Sequence, residues 1–368
     1  MVTAPSSRIA VVTGATGQDG YFLVKRLLDE GSTVHATVRA RSRAKDLDAL
    51  SSEGRLSIHE LDLGDAEGYT RLIAEARPDE FYNCAGQSSV AESFRDPTGT
   101  WRSNADAVHG ILEAIRLRSP DIRFYQSSST EMFGSIPGSE ILYDEGSQFR
   151  PQSPYAAAKA AAHVMCDAYR RGFDLRIACG ILSNHESRRR PASFLTSKVT
   201  DYVRSLRGSG NDGQAPMPPL RVGNLAVRRE WGYAPDYVDG MIRICRQIEV
   251  RAEMSGAEPE VDAGSSYRDY VLGSGHLHAV WELVDRAFEL GGFPLDWDRT
   301  SPDPAAWTAR HRGTERIAVV VDPAFIRHAD PAVIGTNTFM AREELGWRPR
   351  TDLDSFLKDM LSDEEVTS

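Results

Sequence analysis

Four side chains between residues 129 and 159 have the types and spacing needed for acid–base chemistry. Tyr155 and Lys159 stand four positions apart, so they share one face if the segment is helical. A neighbouring ammonium group favours the phenolate form of a tyrosine, which lets that tyrosine take up or return a proton. Ser129 adds a hydroxyl group, and Glu131 is the one charged residue of the segment 124–134. These residues predict a catalytic site in which Tyr155 is an acid or a base.

Each of these residues also has a simpler interpretation. The Tyr155–Lys159 spacing alone would fit an exposed lysine beside a half-buried tyrosine, and Glu131 could be a surface glutamate in a loop. The strand-like residues before Ser129 favour the catalytic interpretation, because open α/β sheets bind ligands at the carboxyl ends of their strands. A second base such as Glu131 is needed when an enzyme removes a carbon-bound proton, whereas a plain dehydrogenation does not need one.

The N-terminal segment contains a glycine-rich turn of the kind that binds cofactors. Residues 13–20 read TGATGQDG, with glycines between a predicted strand and a helix at about 18–30. Glycines let the backbone turn tightly and approach a pyrophosphate group, which the first amides of the helix then bind. An ordinary strand-to-helix turn is the alternative. We predict a dinucleotide cofactor bound by Gly14, Gly17, Gln18, Asp19 and Gly20.

Alternating strand-like and helical segments must position both parts of the site. This alternation is typical of a parallel sheet with helical crossovers. We therefore predict the α/β class, as a Rossmann-type doubly wound parallel sheet with a smaller C-terminal substrate lobe. The strand-like runs are 9–13, 34–38, 56–61, 80–84, 122–126 and 175–180.

The predicted division into domains follows from the same alternation. The cofactor domain comprises residues 1–182, with returns at about 224–248 and 317–336. The substrate lobe comprises residues 183–223, 249–316 and 337–368.

Charge at the end of the second predicted strand indicates which nicotinamide cofactor binds. Arg39, Arg41 and Arg43 follow Val38, and no acidic residue occurs before Asp46. A site for NAD usually has an acidic residue there, whereas the 2′-phosphate of NADP needs basic partners. A solvated basic loop is the alternative, but the chain has a net charge of −10, so a local cationic cluster indicates an anionic ligand. We predict NADP rather than NAD.

Several longer motifs give the chain a family resemblance. The motifs are TGATGQDG at 13–20, SPYAAAK at 153–159, NHES at 184–187 and REWGYAPDYV at 229–238. With these motifs the chain resembles the extended short-chain dehydrogenases/reductases that act on nucleotide sugars, and most resembles their GDP-mannose 4,6-dehydratase branch. The resemblance covers most of the chain.

The resemblance implies an internal redox reaction. The catalytic threonine, glutamate, tyrosine and lysine of the family fall on Ser129, Glu131, Tyr155 and Lys159. It implies that GDP-mannose is oxidised at C4, loses its C5 proton and a water molecule, and regains hydride at C6 to give GDP-4-keto-6-deoxymannose. The alternatives are a nucleotide-sugar 4-epimerase, a dehydratase of another nucleotide hexose, and a binding protein without catalysis.

The resemblance also implies binding residues outside the catalytic group. Tyr155 and Lys159 would contact the cofactor as well. The further cofactor residues are Asp62, Leu63 and Gln87. The implied substrate residues are Ser88, Asn184, Glu186, Lys198, Asn224, Arg229 and Arg327.

This chain departs from the family pattern at several positions near these residues. Ser129 replaces the usual threonine, and NHES is followed by three arginines and Pro191 rather than by a proline-first, glycine-last segment. Two insertions, at 207–219 and 251–268, lie beside segments expected to bind the nucleotide or the sugar. The base and the sugar therefore stay open at this point.

Composition excludes several other classes of protein. The 368 residues are 41% hydrophobic, enough for a large core, and no window resembles a membrane span or a signal-peptide core. We expect a cytoplasmic protein. An isoelectric point near 5.5 argues against a nucleic-acid partner. The four cysteines and nine histidines show no metal-ligand spacing, so we predict thiols and no metal, and we expect a homodimer or homotetramer.

Overall fold

A computed structural model of the chain describes residues 8–50, 54–136, 141–208, 217–326 and 332–363. Arg327 and most of the insertion at 207–219 lie outside these ranges. The strands, in chain order, are β1 (Ile9–Thr13), β2 (Thr33–Val38), β3 (Leu56–Glu60), β4 (Glu80–Asn83), β5 (Arg123–Ser129), β6 (Leu142–Tyr143), β7 (Ile177–Leu182), β8 (Asn184–Glu186), β9 (Leu220–Val222), β10 (Arg228–Tyr233), β11 (Tyr270–Leu272), β12 (Leu277–Ala279), β13 (Leu295–Asp298), β14 (Thr308–His311), β15 (Ile317–Val321) and β16 (Val333–Thr336).

The helices connect these strands and cover the faces of the sheets. In chain order they are α1 (Gln18–Asp29), α2 (Lys45–Asp48), α3 (Ala66–Ala76), α4 (Val90–Arg95), α5 (Pro97–Trp101), α6 (Ala107–Arg118), α7 (Pro154–Phe173), α8 (Leu195–Gly208), α9 (Ala234–Cys245), α10 (Gln247–Ser255), α11 (Val280–Gly291), α12 (Phe339–Leu345) and α13 (Leu353–Leu361). A π-helical turn at Arg102–Asp106 precedes α6.

The largest sheet has seven parallel strands in the order β11-β7-β5-β4-β1-β2-β3. Strand order reverses between β1 and β4, which are neighbours in the sheet but not in the chain. One face packs on α1, α9 and α12, and the other on α3, α6 and α7. This doubly wound arrangement confirms the predicted α/β Rossmann-type fold.

A second core lies in the C-terminal half of the chain. There β13, β14, β15 and β9 form a four-stranded sheet that shares a core with α8, α11 and α13. A third sheet, with the order β12-β10-β16-β6, lies beside it, and β8 pairs with β10. Segment 184–186 thereby links the end of β7 to this third sheet.

Two segments differ from the division predicted from the sequence. We expected 317–336 to return to the large domain, but β15 pairs with β14 and β9, because the short connection after β14 favours an antiparallel neighbour. We expected 249–316 in the lobe, but β11 pairs with β7 in the large sheet, where all three of its residues are buried. The overall division into two domains stays a prediction.

Two further properties of the described chain bear on the predictions from composition. No described helix is both long and apolar enough to cross a membrane. All four cysteines are free thiols; Cys166, Cys179 and Cys245 are buried, whereas Cys84 is half-buried.

Candidate active site

The end of β5 and the start of α7 bring the predicted catalytic residues together. After Ser129 the chain enters a 3-10 turn, and the hydroxyl of Ser129 accepts a hydrogen bond from the amide of Glu131 at 3.3 Å. Ser153 caps α7 by accepting from the amide of Ala156 at 3.1 Å, and Pro154 suits the first helical position. The opening turns of α7 therefore lie against the end of the parallel strand.

Burial and two neighbours determine the proton affinity of Tyr155. Burial raises its pKa, a hydrogen bond with Ser129 lowers it, and the charge of Glu131 raises it, so that the pKa is about 12. Ser129 and Glu131 are hydrogen-bonded to each other, and the turn that contains Glu131 contacts α7. Tyr155 is therefore a neutral phenol beside an acidic side chain, and it can accept a proton only after it has lost its own.

Lys159 lies behind this group and is buried. Its Nζ donates to the carbonyl oxygen of Ser127 at 2.9 Å and lies 6.0 Å from the centre of the Tyr155 ring. Burial lowers the pKa of Lys159 to about 8. Because that pKa lies close to neutral pH, Lys159 can lose its charge more readily than a surface lysine.

The glycines of the N-terminal turn fit the predicted cradle for a pyrophosphate. Gly14 has a φ of +68°, and a Cβ atom on it would lie 2.9 Å from the Cα of Ala85. A Cβ atom on Gly20 would lie 2.3 Å from the carbonyl oxygen of Gly14. Gly17 begins α1, and no side chain within the described residues caps this end. The first amides of α1 are therefore suited to an anionic ligand.

Gln18 and Asp19 join α1 to segment 184–187. The amide nitrogen of Gln18 donates to the carbonyl oxygen of His185 at 3.0 Å, and Ser187 donates to the side-chain oxygen of Gln18 at 2.9 Å. Asp19 lies 3.0 Å from Nε2 of His185. Both side chains therefore connect the glycine turn at the start of α1 to segment 184–187.

The contacts of His185 assign its charge. Nδ1 lies 2.8 Å from the carbonyl oxygen of Ser183 and Nε2 faces the carboxylate of Asp19, so both nitrogens have acceptors and both must donate. Burial lowers the pKa of His185, but Asp19 outweighs this effect and raises it. Burial raises the pKa of Asp19, but His185 lowers it to about 2. The two residues form an ion pair in which the imidazole is buried and the carboxylate is half-buried.

Glu186 and Arg190 form a second ion pair in the same loop. Nε of Arg190 lies 3.2 Å from a carboxylate oxygen of the buried Glu186, which also accepts from the hydroxyl of Thr196. The guanidinium of Arg190 stacks on Phe194 at 3.8 Å, and its charge lowers the pKa of Tyr155. Glu186, a predicted substrate residue, thus directs its carboxylate to Arg190.

Asn184 and Arg229 lie near each other across two strands. Asn184 opens β8, opposite Trp231 of β10. Arg229 lies two residues before that tryptophan, is buried, and donates to the carbonyl oxygen of Arg228 at 2.9 Å. The parallel pairing of β8 with β10 therefore brings two predicted substrate residues to one region.

The predicted adenosine side of the cofactor site lies where β2 and β3 end. Arg39 and Arg43 are exposed, whereas the guanidinium of Arg41 binds both carboxylate oxygens of Asp48, at 3.0 and 2.6 Å. Asp62 is exposed and accepts from the amide of Gly64 at 2.9 Å, and its neighbour Leu63 is half-buried.

Arg189, which closely follows segment 184–187, connects that segment to the basic loop. Its guanidinium lies over the ring of Tyr21 at 3.7 Å and donates to Asp46 at 2.8 Å.

Gln87 and Ser88 follow β4 at the point where strand order reverses. The amide of Gln87 donates to the carbonyl oxygen of Ser89 at 2.8 Å. Its Oε1 is buried and accepts no hydrogen bond from any described residue, so it offers an acceptor to a ligand. Ser88 is exposed.

Lys198 and Asn224 lie at the far end of the predicted substrate site. Nζ of Lys198 lies 3.8 Å from the centre of the Phe325 ring. Burial lowers the pKa of Lys198, although the nearby Asp322 opposes this. The side chain of Asn224 accepts from the amide of Ala226 at 3.0 Å. Arg327 lies outside the described residues.

This geometry agrees with the matches between the chain and known proteins. A family model described as GDP-mannose 4,6 dehydratase matches residues 11–360. The chain belongs to the GDP-mannose 4,6-dehydratase family. A GDP-mannose 4,6-dehydratase of Vibrio cholerae is 34% identical, over 97% of this chain and 93% of its own length. The enzyme of the same name from Homo sapiens is 30% identical, over 96% and 90%.

Solved structures with the same fold include other nucleotide-sugar enzymes. A dTDP-glucose 4,6-dehydratase of Bacillus anthracis in complex with NAD has a TM-score of 0.73 at 16% identity, covering 96% of both chains. A UDP-glucose 4-epimerase of Thermotoga maritima with UDP-glucose also has a TM-score of 0.73, at 20% identity, covering 96% of this chain and 97% of its own. These likenesses establish the fold, while the family match confirms the predicted dehydratase class.

A second cluster lies behind the catalytic group of this member of the GDP-mannose 4,6-dehydratase family. The ligand atoms of His163, Cys179 and Asp269 lie within 4.8 Å of one another. Both carboxylate oxygens of Asp269 accept from Arg170, at 2.8 Å each. A guanidinium so close disfavours a second cation, and the cluster instead forms a hydrogen-bonded group.

Sequence reasoning missed several residues that the fold brings to the site. Arg190 was noted only as a departure from the family pattern, although a run of three arginines beside NHES was a usable signal. His163 stands four positions after Lys159, which places it on the same helix face. Asp269 gave no local signal, because only the pairing of β11 with β7 brings it to α7.

Proposed function

We propose that the protein is an NADP-dependent dehydratase that converts GDP-mannose to GDP-4-keto-6-deoxymannose. The observation that carries this proposal is the position of Ser129 and Glu131, which are hydrogen-bonded to each other at the end of β5, beside the helix α7 that carries Tyr155 and Lys159. A 4-epimerase needs the phenol and the lysine but no second base. Membership of the GDP-mannose 4,6-dehydratase family supports the same choice.

The cofactor would be held by the turn at Gly14, Gly17 and Gly20 and by the first amides of α1. When bound, the nicotinamide accepts a hydride from the sugar and later returns it. Tyr155 would orient the nicotinamide side of the site, with Lys159 behind it. Asp62, Leu63 and Gln87 are proposed as additional contacts to the cofactor.

Proton transfers by three side chains complete the proposed mechanism. Tyr155, in its phenolate form, takes the proton of the 4-hydroxyl group, and Ser129 holds that hydroxyl in line with the phenol. The resulting 4-ketone acidifies the C5 hydrogen, which Glu131 removes as a proton. Glu131 then gives a proton to the departing 6-hydroxyl, which leaves as water. Tyr155 then gives its proton to C5 as hydride returns to C6, so that both side chains end in the state in which they began.

The preference for NADP is proposed from the basic loop after β2. Arg39 and Arg43 have exposed side chains that can reach a 2′-phosphate, whereas Arg41 would have to exchange Asp48 for it. Tryptophan fluorescence titrations with NADP and NAD test this directly. NADP is expected to bind at least about tenfold more tightly, since a phosphate gains charge-assisted hydrogen bonds. Equal affinities would contradict the preference for NADP, and tighter binding of NAD would reverse it.

The substrate contacts are proposed residue by residue. Asn184 and Ser88 would contact the sugar, and Arg229 would bind the diphosphate, because its planar fork suits phosphate oxygens. Glu186 would act by holding Arg190 at the site. Lys198, Asn224 and Arg327 are proposed for the nucleotide end.

Mass spectrometry of the reaction tests the proposed function. Purified protein with NADP and GDP-mannose should give a product lighter by one water molecule. A product of unchanged mass with inverted C4 would favour the 4-epimerase. UDP-, CDP- and dTDP-hexoses assayed in parallel test which nucleotide base the protein recognises. Turnover of one of these substrates alone would show that the base is not guanine, while the proposed dehydration would stand.

A homodimer or homotetramer is proposed from exposed apolar side chains on neighbouring helices. Phe94, Trp101, Leu117, Val164 and Phe173 are each at least 44% exposed on α4 to α7, and such patches are typical of association surfaces. Light scattering of the purified protein tests this assembly.

The cytoplasmic location stays a prediction.

A further inference from the structure

Three successive serines at the end of β5 are each contacted by one residue of α7. The carbonyl oxygen of Ser127 accepts from Lys159, and Ser129 lies near enough to Tyr155 to lower the pKa of its phenol. Between them, the hydroxyl of Ser128 lies 3.0 Å from Nδ1 of His163. Because 155, 159 and 163 are each four positions apart, the three α7 residues share one helix face.

The His163 ring is fixed from behind. Its Nε2 lies 3.5 Å from Asp269, whose carboxylate is bound by Arg170 and also accepts from the amide of Cys179 at 2.7 Å. Phe149 contacts the ring edge-on, with ring centres 5.0 Å apart. The ring is buried, so it has little freedom to turn away from Ser128.

We propose that His163 is a positioning residue that fixes the end of β5 through Ser128. Successive side chains of a strand point to opposite faces, so the contact of Ser128 with His163 also fixes the backbone at Ser129. The side chain of Ser129 leaves the opposite face at the end of the strand, where the first turn of α7 places Tyr155. The same contact keeps the Ser127 carbonyl at Lys159. The inference rests on the proposed function for the roles of Ser129, Tyr155 and Lys159, and none of the residue roles considered above includes His163.

Two substitutions of His163 separate this role from general packing. His163→Asn places an amide nitrogen near the position of Nδ1 and keeps a donor for Ser128. His163→Gln places its amide nearer the position of Nε2 and loses that donor. Ser128→Ala removes the same contact from the other side with little change in volume. His109→Gln on α6 is the matched control, because His109 is exposed.

Steady-state kinetics should divide the variants into two groups. A displacement of about 1 Å can lower turnover by about a hundredfold. His163→Gln and Ser128→Ala should therefore each lower kcat at least about tenfold. The KM of each variant should change less than about twofold. His163→Asn should stay within about threefold of the parent, and the His163→Gln/Ser128→Ala double variant should be no worse than either single variant. Parental kcat in His163→Gln would overturn the inference.

Amide hydrogen exchange of the unliganded protein tests the same inference without turnover. In His163→Gln, a peptide spanning 127–131 should exchange at least about tenfold faster, while peptides from α1 keep parental rates. Unchanged exchange at 127–131 would overturn the inference. If the parent protein removes no water from any nucleotide sugar but 127–131 still exchanges faster in the variant, the proposed function fails and the positioning role stands.

Discussion

Nε2 of His185 lies 3.0 Å from the carboxylate of Asp19, and this contact joins the helix that begins the cofactor cradle to the loop expected to bind the sugar. The imidazole also stacks on Tyr237, with ring centres 4.5 Å apart. The predicted cofactor and sugar sites are therefore connected through His185. A change on either side of the ion pair should affect both sites.

Asp19→Asn should destabilise the protein by about 3 kcal/mol at pH 7, because it leaves a buried imidazolium without its partner. Urea denaturation measures this. The Asp19→Asn/His185→Gln double variant should regain part of the loss, since the uncompensated charge is gone. Additive losses in the double variant would contradict a direct ion pair.

His163 should make stability fall as pH rises through the weakly alkaline range. Burial lowers its pKa, but Cys179 and Asp269 outweigh this effect and raise it from 6.5 to about 9. The native state thus keeps a proton that the unfolded chain loses above pH 6.5, so this contribution is complete below pH 6.5 and is lost as pH rises to about 9. It amounts to at most about 3 kcal/mol.

Urea denaturation of the parent and of His163→Asn at several pH values measures this contribution. The variant should lack that part of the pH dependence. Parallel stability curves for the two proteins between pH 6 and about 9.5 would show that His163 is neutral in the native state.

Gly20→Ala should abolish cofactor binding or folding, because its Cβ would lie 2.3 Å from the Gly14 carbonyl oxygen. Gly172→Ala is the matched control in a helix, since no described atom lies within 4 Å of its added Cβ. The control should be neutral or stabilising by up to about 1 kcal/mol. Thermal unfolding with and without NADP measures both, and NADP stabilisation of folded Gly20→Ala would contradict the cradle.

Arg188 should link the last helix to substrate binding. It donates to the carbonyl oxygens of Asp359 and Ser362, at 2.5 and 2.9 Å, near the end of α13. Arg207 donates to the carbonyl oxygen of Leu361 at 2.7 Å, but it lies outside segment 184–190. Arg188→Ala and Arg207→Ala should each cost about 1–2 kcal/mol of stability.

Only Arg188→Ala should also raise KM for the nucleotide sugar, because Arg188 directly follows NHES. Steady-state kinetics at saturating cofactor provide the comparison. Equal KM values for the two variants would show that α13 supports stability alone.

Local patterns predicted the parts of the fold that depend on nearby residues. β1 begins and ends where the apolar run at 9–13 indicated, and α1 begins at Gln18 as expected from the glycine turn. β11 was missed because a three-residue strand has no period of its own, and only its pairing with β7 makes it a strand. The segment 317–336 was placed with the large domain because an apolar run does not show which strand it pairs with; β15 instead pairs with β14 and β9.

In the candidate site, too, residues within short segments could be named from the sequence, whereas contacts between distant segments could not. Ser129, Glu131, Tyr155 and Lys159 could be named from the sequence because their types and spacings occur within short segments, and their catalytic roles stay predictions. The contact of His163 with Asp269 could not be predicted, because distant segments meet there. The partners of Arg41 and Glu186 were also beyond sequence reasoning, since a charge pattern does not show which opposite charge it meets.

The rate of water loss from GDP-mannose in Glu131→Gln tests the central claim most directly, with nucleotide binding measured alongside. Removal of a catalytic proton transfer should lower this rate by about 10²- to 10⁴-fold, while the affinities for NADP and GDP stay parental. A Glu131→Gln variant that releases water at nearly the parental rate would show that another group removes the C5 proton.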